Sequence, residues 1–367
     1  MTRVMIRFWL LLWPALALDV KYSVPRRLAL SPALKTVHKI EALKADSLAI
    51  ALRFVDIALE ANVVEGFTEM TAAKLAGLQQ LLTGGGGLIM PPSPVARAQL
   101  EETINRTAEF YAMLDAEVAT VTWNSPSLAA VDMQKSALTK SYDKLLDLYR
   151  SHLTQIGEAE PEVEVYAYEL MADTELIALH AALLLAEVSP SAQQGKVIFY
   201  EKTIEALIYG LLWGDVVHGV TELSEVCALE AMRRVSGCWL KLLAIVQPLR
   251  SDGLAAASDR SAMAYSMAHA AHELRAELDI FAVQLGEPAC NPSSNMDSEE
   301  WQNGVYENNK FRELVASCTR IFLEVFQVRD KEYALLQLTQ CLLDADFHIS
   351  HVFKGQKGLD MPPFHAR

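Results

Sequence analysis

Four long stretches of this chain, 33–62, 95–120, 127–156 and 166–188, contain neither glycine nor proline. Within each, apolar residues recur at steps of three and four, the spacing that lines one side of an α-helix. A sheet protein needs turn residues at much shorter intervals, so uninterrupted stretches of this length leave little room for one. Apolar content comes mainly from Ala and Leu, and the whole length holds only 14 Pro and 17 Gly. Both facts favour helix over strand. The fold class read from the residues is all-α, with about nine or ten mostly antiparallel helices forming one or two helical bundles. With 367 residues and 51% hydrophobic content, the chain can fill one large core or two.

Breakers divide the chain. Ser31-Pro32 opens a helix that runs to Asn62, and a second helix over 68–82 ends at "TGGGG", followed by the stiff "MPPSP". Helices over 95–120 and 127–156 are separated by "TWNSPS", and one over 166–188 stops at "SPS". The stretch 193–246 is too long for one ordinary helix, and Gly210, Gly214, Gly219 and Gly237 are its candidate breaks, with Pro248 and "SDG" ending it. Further helices are expected over 257–285, 306–328 and 330–353. Between 157 and 165, Glu158, Glu160, Glu162 and Glu164 alternate with small residues, which reads as a solvated acidic linker or an acidic docking strip. The resulting domain plan is a candidate leader over 1–27, an N-terminal helical bundle over 28–156, the linker, a C-terminal helical bundle over 166–353, and a disordered tail over 354–367. The segments 74–114 and 175–212 share a loose pattern of Leu-rich helix, Pro-Ser break and longer amphipathic helix, which two αα-hairpins would also give.

Charge narrows the function classes. The formal net charge is −14, and the first 27 residues carry five basic groups against Asp19, so the remainder is near −18. Direct nucleic-acid binding needs clustered Lys and Arg, which this body lacks. A basic protein partner suits it better. The start, "MTRVMIRFWLLLWPALALDV", has a basic end, an apolar run and an Ala15-x-Ala17 cleavage pattern, the layout of a secretory or organellar targeting segment too short to span a bilayer. The five cysteines (Cys227, Cys238, Cys290, Cys318, Cys341) are odd in number and widely spaced, which speaks against a disulfide framework and for a reducing compartment. Cytoplasmic or nuclear residence is therefore expected, with secretion or an organelle as the alternative if residues 1–17 target the chain. The sequon Asn105-Arg106-Thr107 falls within a helix and adds little.

Catalytic chemistry finds few footholds. The segment "AHAAHELRAELDIFAVQLG" carries His269 and His272, and "LLDADFHISHVF" carries His348 and His351. Two His-x-x-His pairs on neighbouring helices could in principle hold a metal. On a helix, however, Met263, Met267, Leu274, Leu278, Phe281 and Leu285 share one stripe, from which His269 and His272 point away. His348 and His351 are likewise opposite Leu335, Leu338, Leu342 and Leu343. A bundle metal site is built inward, with Glu-x-x-His repeats, and the nearest approach here is Asp215-x-x-His218. The glycine run lacks the Gly-Lys-Ser/Thr of a phosphate cradle, no Gly-x-Ser-x-Gly elbow occurs, and the methionines of "SAMAYSMAH" read as core filler ahead of a partner groove. No catalytic residue and no cofactor are assigned, and a non-catalytic binding protein is expected.

The order "LEAMRRVSGCWLKLLAIVQ", "MAHAAHELRAELDIFAVQLGEPAC", "ENNKFRELVASCTRIFLEVF" resembles the C-terminal half of the cyclin-D-interacting (cyclin-D-binding) protein family, with Leu278, Asp279, Ala282 and Pro288 in its acidic–apolar run and Asn309 to Leu314 at the next helix start. Upstream, Thr71, Lys74, Leu75 and Pro91 to Pro94 are similar to that family's N-terminal helix and Pro-Ser-Pro break. The resemblance is patchy over about 65–350; residues 166–224 have no counterpart in it, and the leader is foreign to a nucleocytoplasmic family. What it implies is a two-part all-α adaptor that binds cyclin D or helix-loop-helix regulators and restrains cell-cycle progression, with no particular residues marked for the task.

Overall fold

The computed structural model describes residues 30–221, 223, 226–252, 259–286, 318, 340, 341 and 343. The candidate leader and tail lie outside them, as do the helices expected over 306–328 and 330–353 apart from those last four positions. The described residues form an all-α fold of eight helices, against the nine or ten expected. These are α1 (Pro32–Ala58), α2 (Phe67–Gln80), α3 (Pro94–Glu117), α4 (Pro126–Gln155), α5 (Glu162–Leu185), α6 (Pro190–Trp213), α7 (Val226–Asp252) and α8 (Arg260–Gly286).

Four of the helices begin at a Ser-Pro pair, with Ser31, Ser93, Ser125 and Ser189 at the cap and proline in the first turn. Proline has no amide to leave unsatisfied there, and its fixed φ already suits the helix. The Ser31 and Ser93 hydroxyls each accept from the amide three residues on, Leu34 and Ala96, at 3.1 Å. The glycine run becomes a short 3₁₀ turn over Gly85–Gly87, with Gly84, Gly86 and Gly87 at positive φ. The long stretch after 193 breaks where Gly214 (φ +77°) ends α6 and Gly219 (φ +74°) closes a tight turn bridged between Asp215 and Val220. Gly210 and Gly237 remain helical. At Gly210 the bare backbone has a packing role, because a Cβ there would stand 2.8 Å from the Tyr166 ring. Pro248 does not end its helix. α7 continues through it to Asp252, forgoing the one hydrogen bond for which proline has no donor.

The larger compact unit comprises Arg27–Leu223 and Arg234–Glu287, and the remaining described residues belong to a second unit. At the heart of the larger unit stand α1 and α5. α1 packs against α2, α4, α5 and α8, and α5 against α1, α6 and α8. From Thr174 to Leu185 every side chain of α5 is buried, which matches a helix apolar on all sides. The structure therefore revises the domain plan. Residues 28–156 do not form a bundle of their own, because α5, from beyond the expected boundary, is central to the same core. Nor is 157–165 a solvated linker: Glu160 and Glu164 are buried, and Ser31 Oγ donates to Glu158 Oε2 at 2.5 Å. Alternating Glu reads as solvated only until nearby cations and donors are placed against it.

Cysteine chemistry also departs from expectation. Cys318 and Cys341 are joined in a disulfide, and Cys227 is disulfide-bonded as well, while Cys238 is free. A separation of 23 residues on two amphipathic stretches carries no local motif, so spacing alone could not identify the pair.

Candidate functional site

Three buried polar clusters tie the larger unit together. The first joins α4, α5 and α6. His180, on α5, is buried with its Nδ1 2.6 Å from Gln193 Oε1 and its Nε2 2.8 Å from Lys135 Nζ. Because the amide oxygen can only accept, Nδ1 bears the proton and Nε2 accepts from the lysine. Gln193 Nε2 then donates to Asp132 Oδ2 at 3.0 Å, Lys135 reaches Asp132 Oδ1 at 3.1 Å, and Lys196 donates to the same carboxylate at 3.0 Å. The Tyr200 ring stacks on His180 at 5.5 Å. Burial, reinforced by Lys135, lowers the His180 imidazole to about 3. Burial also brings the Lys135 amine down to about 8, against the pull of Asp132. The Asp132 carboxyl is pushed up by burial, yet the two lysines prevail and hold it at about 2. A lysine of lowered basicity beside a neutral imidazole has the makings of a nucleophile, but Lys135 is 3% exposed and the ring of hydrogen bonds is closed. It holds three helices in register.

The second cluster anchors α8. Arg275 lies 3.2 Å from Asp46 of α1, 3.5 Å from Glu175 of α5 and 3.2 Å from Asp279 on its own helix, while Lys74 of α2 pairs with Asp46 at 2.7 Å. Burial pushes the Glu175 carboxyl up to about 7, with Arg275 pulling the other way. Nearby Asp56, also buried, is driven well above the carboxylate range by burial and by Glu175. The third cluster gathers His38, Glu41, Arg150, Glu160 and Glu164 where α1, α4 and the start of α5 meet.

The four histidines considered as metal ligands do not come together as a site in the described residues. His269 and His272 are exposed on α8, with His269 Nδ1 3.5 Å from Glu273 Oε1. Met267, Leu274, Leu278, Phe281 and Leu285 are buried on the opposite side, and Met263 is half-buried. His348 and His351 lie outside the described residues. His218 Nδ1 meets Asp215 Oδ2 at 2.6 Å, and Tyr166 donates to the same oxygen at 2.9 Å, an exposed turn-closing pair. Among the described residues, no group of three or more His, Cys, Asp or Glu is disposed to hold a metal ion.

The feature that sequence reasoning missed is on the outside. α6 packs principally against α5, and its other side carries Phe199, Lys202, Ala206 and Tyr209, all exposed and spaced by three and four. Phe199 is 61% and Tyr209 59% exposed, and Trp213 lies one step further on, its ring 6.3 Å from that of Tyr209. Beyond it the Asp215–Val220 turn holds Val216 and Val217 almost wholly in solvent. A helix whose inner side is already apolar masks a second apolar stripe, which a single periodicity count averages away. No described helix is long and apolar enough to cross a membrane.

Comparison of the chain with protein-family models, with curated proteins and with solved structures finds no match.

Proposed function

We propose that the chain is a non-catalytic helical adaptor, and that the outer side of α6 receives a helix from a partner protein. One observation carries this reading: Phe199, Ala206 and Tyr209 are exposed at the spacing with which a helix meets another helix, continuing towards Trp213. Large aromatics are the side chains that dominate the energetics of such contacts when a partner buries them. The buried lysine, histidine and carboxylates are engaged in holding helices together, which supports binding over chemistry. The resemblance supplies the partner class: cyclin D or a helix-loop-helix regulator, bound in the cytoplasm or nucleus. The test is calorimetric titration of the purified chain with each of these proteins. Binding lost in Phe199→Glu plus Tyr209→Glu, with unchanged circular dichroism, supports the proposal; binding that survives the double substitution, or no binding to either class, refutes it.

The Cys318–Cys341 disulfide favours a second reading, a helical protein of an oxidising secreted or organellar compartment. The two readings separate on cellular material. If Cys318 and Cys341 resist alkylation until a reductant is added, nucleocytoplasmic partners give way to extracellular or organellar ones.

A further inference from the structure

Where α1, α4 and the start of α5 meet, three carboxylates are buried around a single guanidinium. Arg150 of α4 binds Glu41 through Nη2 and donates from Nε to Glu160 Oε2 at 2.7 Å. His38 of α1 turns its Nε2 towards Glu164 Oε2 at 2.9 Å and Glu160 Oε1 at 3.8 Å, and the Tyr168 ring lies over the imidazole at 5.0 Å. Glu41, Glu160 and Glu164 are 6%, 9% and 4% exposed, so solvent offers them little relief. Around this core stand Lys44 of α1, held by Asp143 of α4 at 2.6 Å, Glu169 of α5 near both Arg150 and Lys44, and Asp279 of α8 near Tyr168. Ser31 ties Glu158 at the rim.

The charges do not balance. With every carboxyl ionised and the imidazole neutral, three negative charges face one guanidinium. Glu41 and Glu160 lie within hydrogen-bonding reach of each other. Two ionised carboxylates both only accept, so a proton must sit between them for that contact to attract. Glu41 Oε2 and Glu160 Oε1 are buried with no hydrogen-bond partner as they stand. A proton shared by Glu41 and Glu160 would remove one of the three negative charges and turn their contact into a hydrogen bond.

We propose that this cluster is a proton-operated latch, which holds residues 158–164 and the start of α5 against α1 and α4 when it is protonated and loosens them when it is ionised. Burial and the neighbouring Glu160 raise the Glu41 carboxyl well above its ordinary range, Arg150 pulling against them. An acid whose folded pKa is raised adds stability that is complete below its unfolded pKa and is lost as pH rises through the folded value. The latch is therefore tight in acid and weakened at higher pH, and it operates whatever the chain binds.

Hydrogen exchange of the full chain, corrected for intrinsic rates and followed in peptides covering 31–42 and 150–166, tests it. Protection in these peptides should fall by about tenfold or more from pH 5 to pH 8, the factor equivalent to one pKa unit, while Glu41→Gln should hold it within about twofold, since the amide supplies the missing hydrogen without titrating. Glu160→Gln serves equally if the first variant does not fold. Asp173→Asn, a raised carboxyl elsewhere on α5, should leave the local response as in the parent. A flat parent profile, a parent-like pH response in the glutamine variants, or loss of the response in Asp173→Asn would each overturn the proposal.

Discussion

Asp173 and His180 stand two turns apart on α5, and burial acts on them with opposite consequences for stability. At Asp173, burial and then Glu169 push the carboxyl up to about 7, with Lys44 opposing. Its contribution is complete below about 4, the unfolded value, and is lost as pH rises through 7. At His180, burial and Lys135 bring the imidazole down to about 3, so the unfolded chain takes up a proton that the folded one refuses. Between about 6.5 and 3, that group costs stability as pH falls. Asp173→Asn should isolate the first effect, because the amide is nearly isosteric and does not ionise. Urea midpoints near pH 3.5 should match the parent, while at pH 8 the variant should be the more stable by on the order of 4 kcal/mol. Equal midpoints at both values would mean that Asp173 ionises freely in the folded state. The neutral His180 is also visible directly: its ring nitrogens should keep the Nδ1-protonated signature in ¹⁵N spectra down to pH 5, below the ordinary pKa of an imidazole.

Between residues and whole fold, the helices differ in how much of their role is written locally. Ser-Pro pairs announce α1, α3, α4 and α6, and the expected ends lie within a few residues of the observed ones, because cap chemistry and proline geometry are local. The placement of α5 is not local. Its acidic start has the composition of a solvated segment, and only Arg150, across the turn at the end of α4, and His38 of α1, far away in sequence, make that start a buried one. Its apolar run, Leu176 to Leu185, was the available signal that this helix sits in the middle of the core. The outward setting of His269 and His272 was legible from periodicity, whereas the α6 aromatic stripe was hidden by the apolar side beneath it. Two substitutions measure that contrast. Leu179→Ala should cost about 3 kcal/mol by opening a cavity, and Phe199→Ala should stay within about 0.5 kcal/mol, as an exposed position does. A comparable loss at Phe199 would place its ring in the core and remove the proposed docking stripe. The glycine turn offers a finer test. A Cβ at Gly84 would meet Leu88 O and Met90 N at 2.9 Å, while one at Gly87 meets nothing within 4 Å. Both positions have positive φ, so alanine strains each by roughly 1 kcal/mol, and Gly84→Ala should exceed Gly87→Ala by the cost of the clash.

At the scale of the molecule, two kinds of stabilisation are divided between two compact units. The larger, Arg27–Leu223 with Arg234–Glu287, rests on helix packing and buried polar networks, and its one cysteine, Cys238, is free. The other unit holds Cys227, Cys318 and Cys341, all disulfide-bonded. Apolar pattern says nothing of this division, since a cysteine on a helix face packs equally well as a thiol or as half of a bridge. Reduction should therefore act on one unit only. Closing the loop between Cys318 and Cys341, 23 residues apart in sequence, is worth about 3 kcal/mol through the lost freedom of the unfolded chain. Scanning calorimetry of the oxidised chain should resolve a transition that a reductant lowers by roughly 10 °C, and another that it leaves in place. Cys318→Ser plus Cys341→Ser should reproduce the lowered transition without reductant, and adding reductant to that variant should move it further only by what the Cys227 bridge contributes. If reduction shifts both transitions together, the units unfold as one cooperative body; if it shifts neither, the cysteines are thiols in solution, and the proposal of a cytoplasmic or nuclear adaptor regains the ground that the disulfide takes from it.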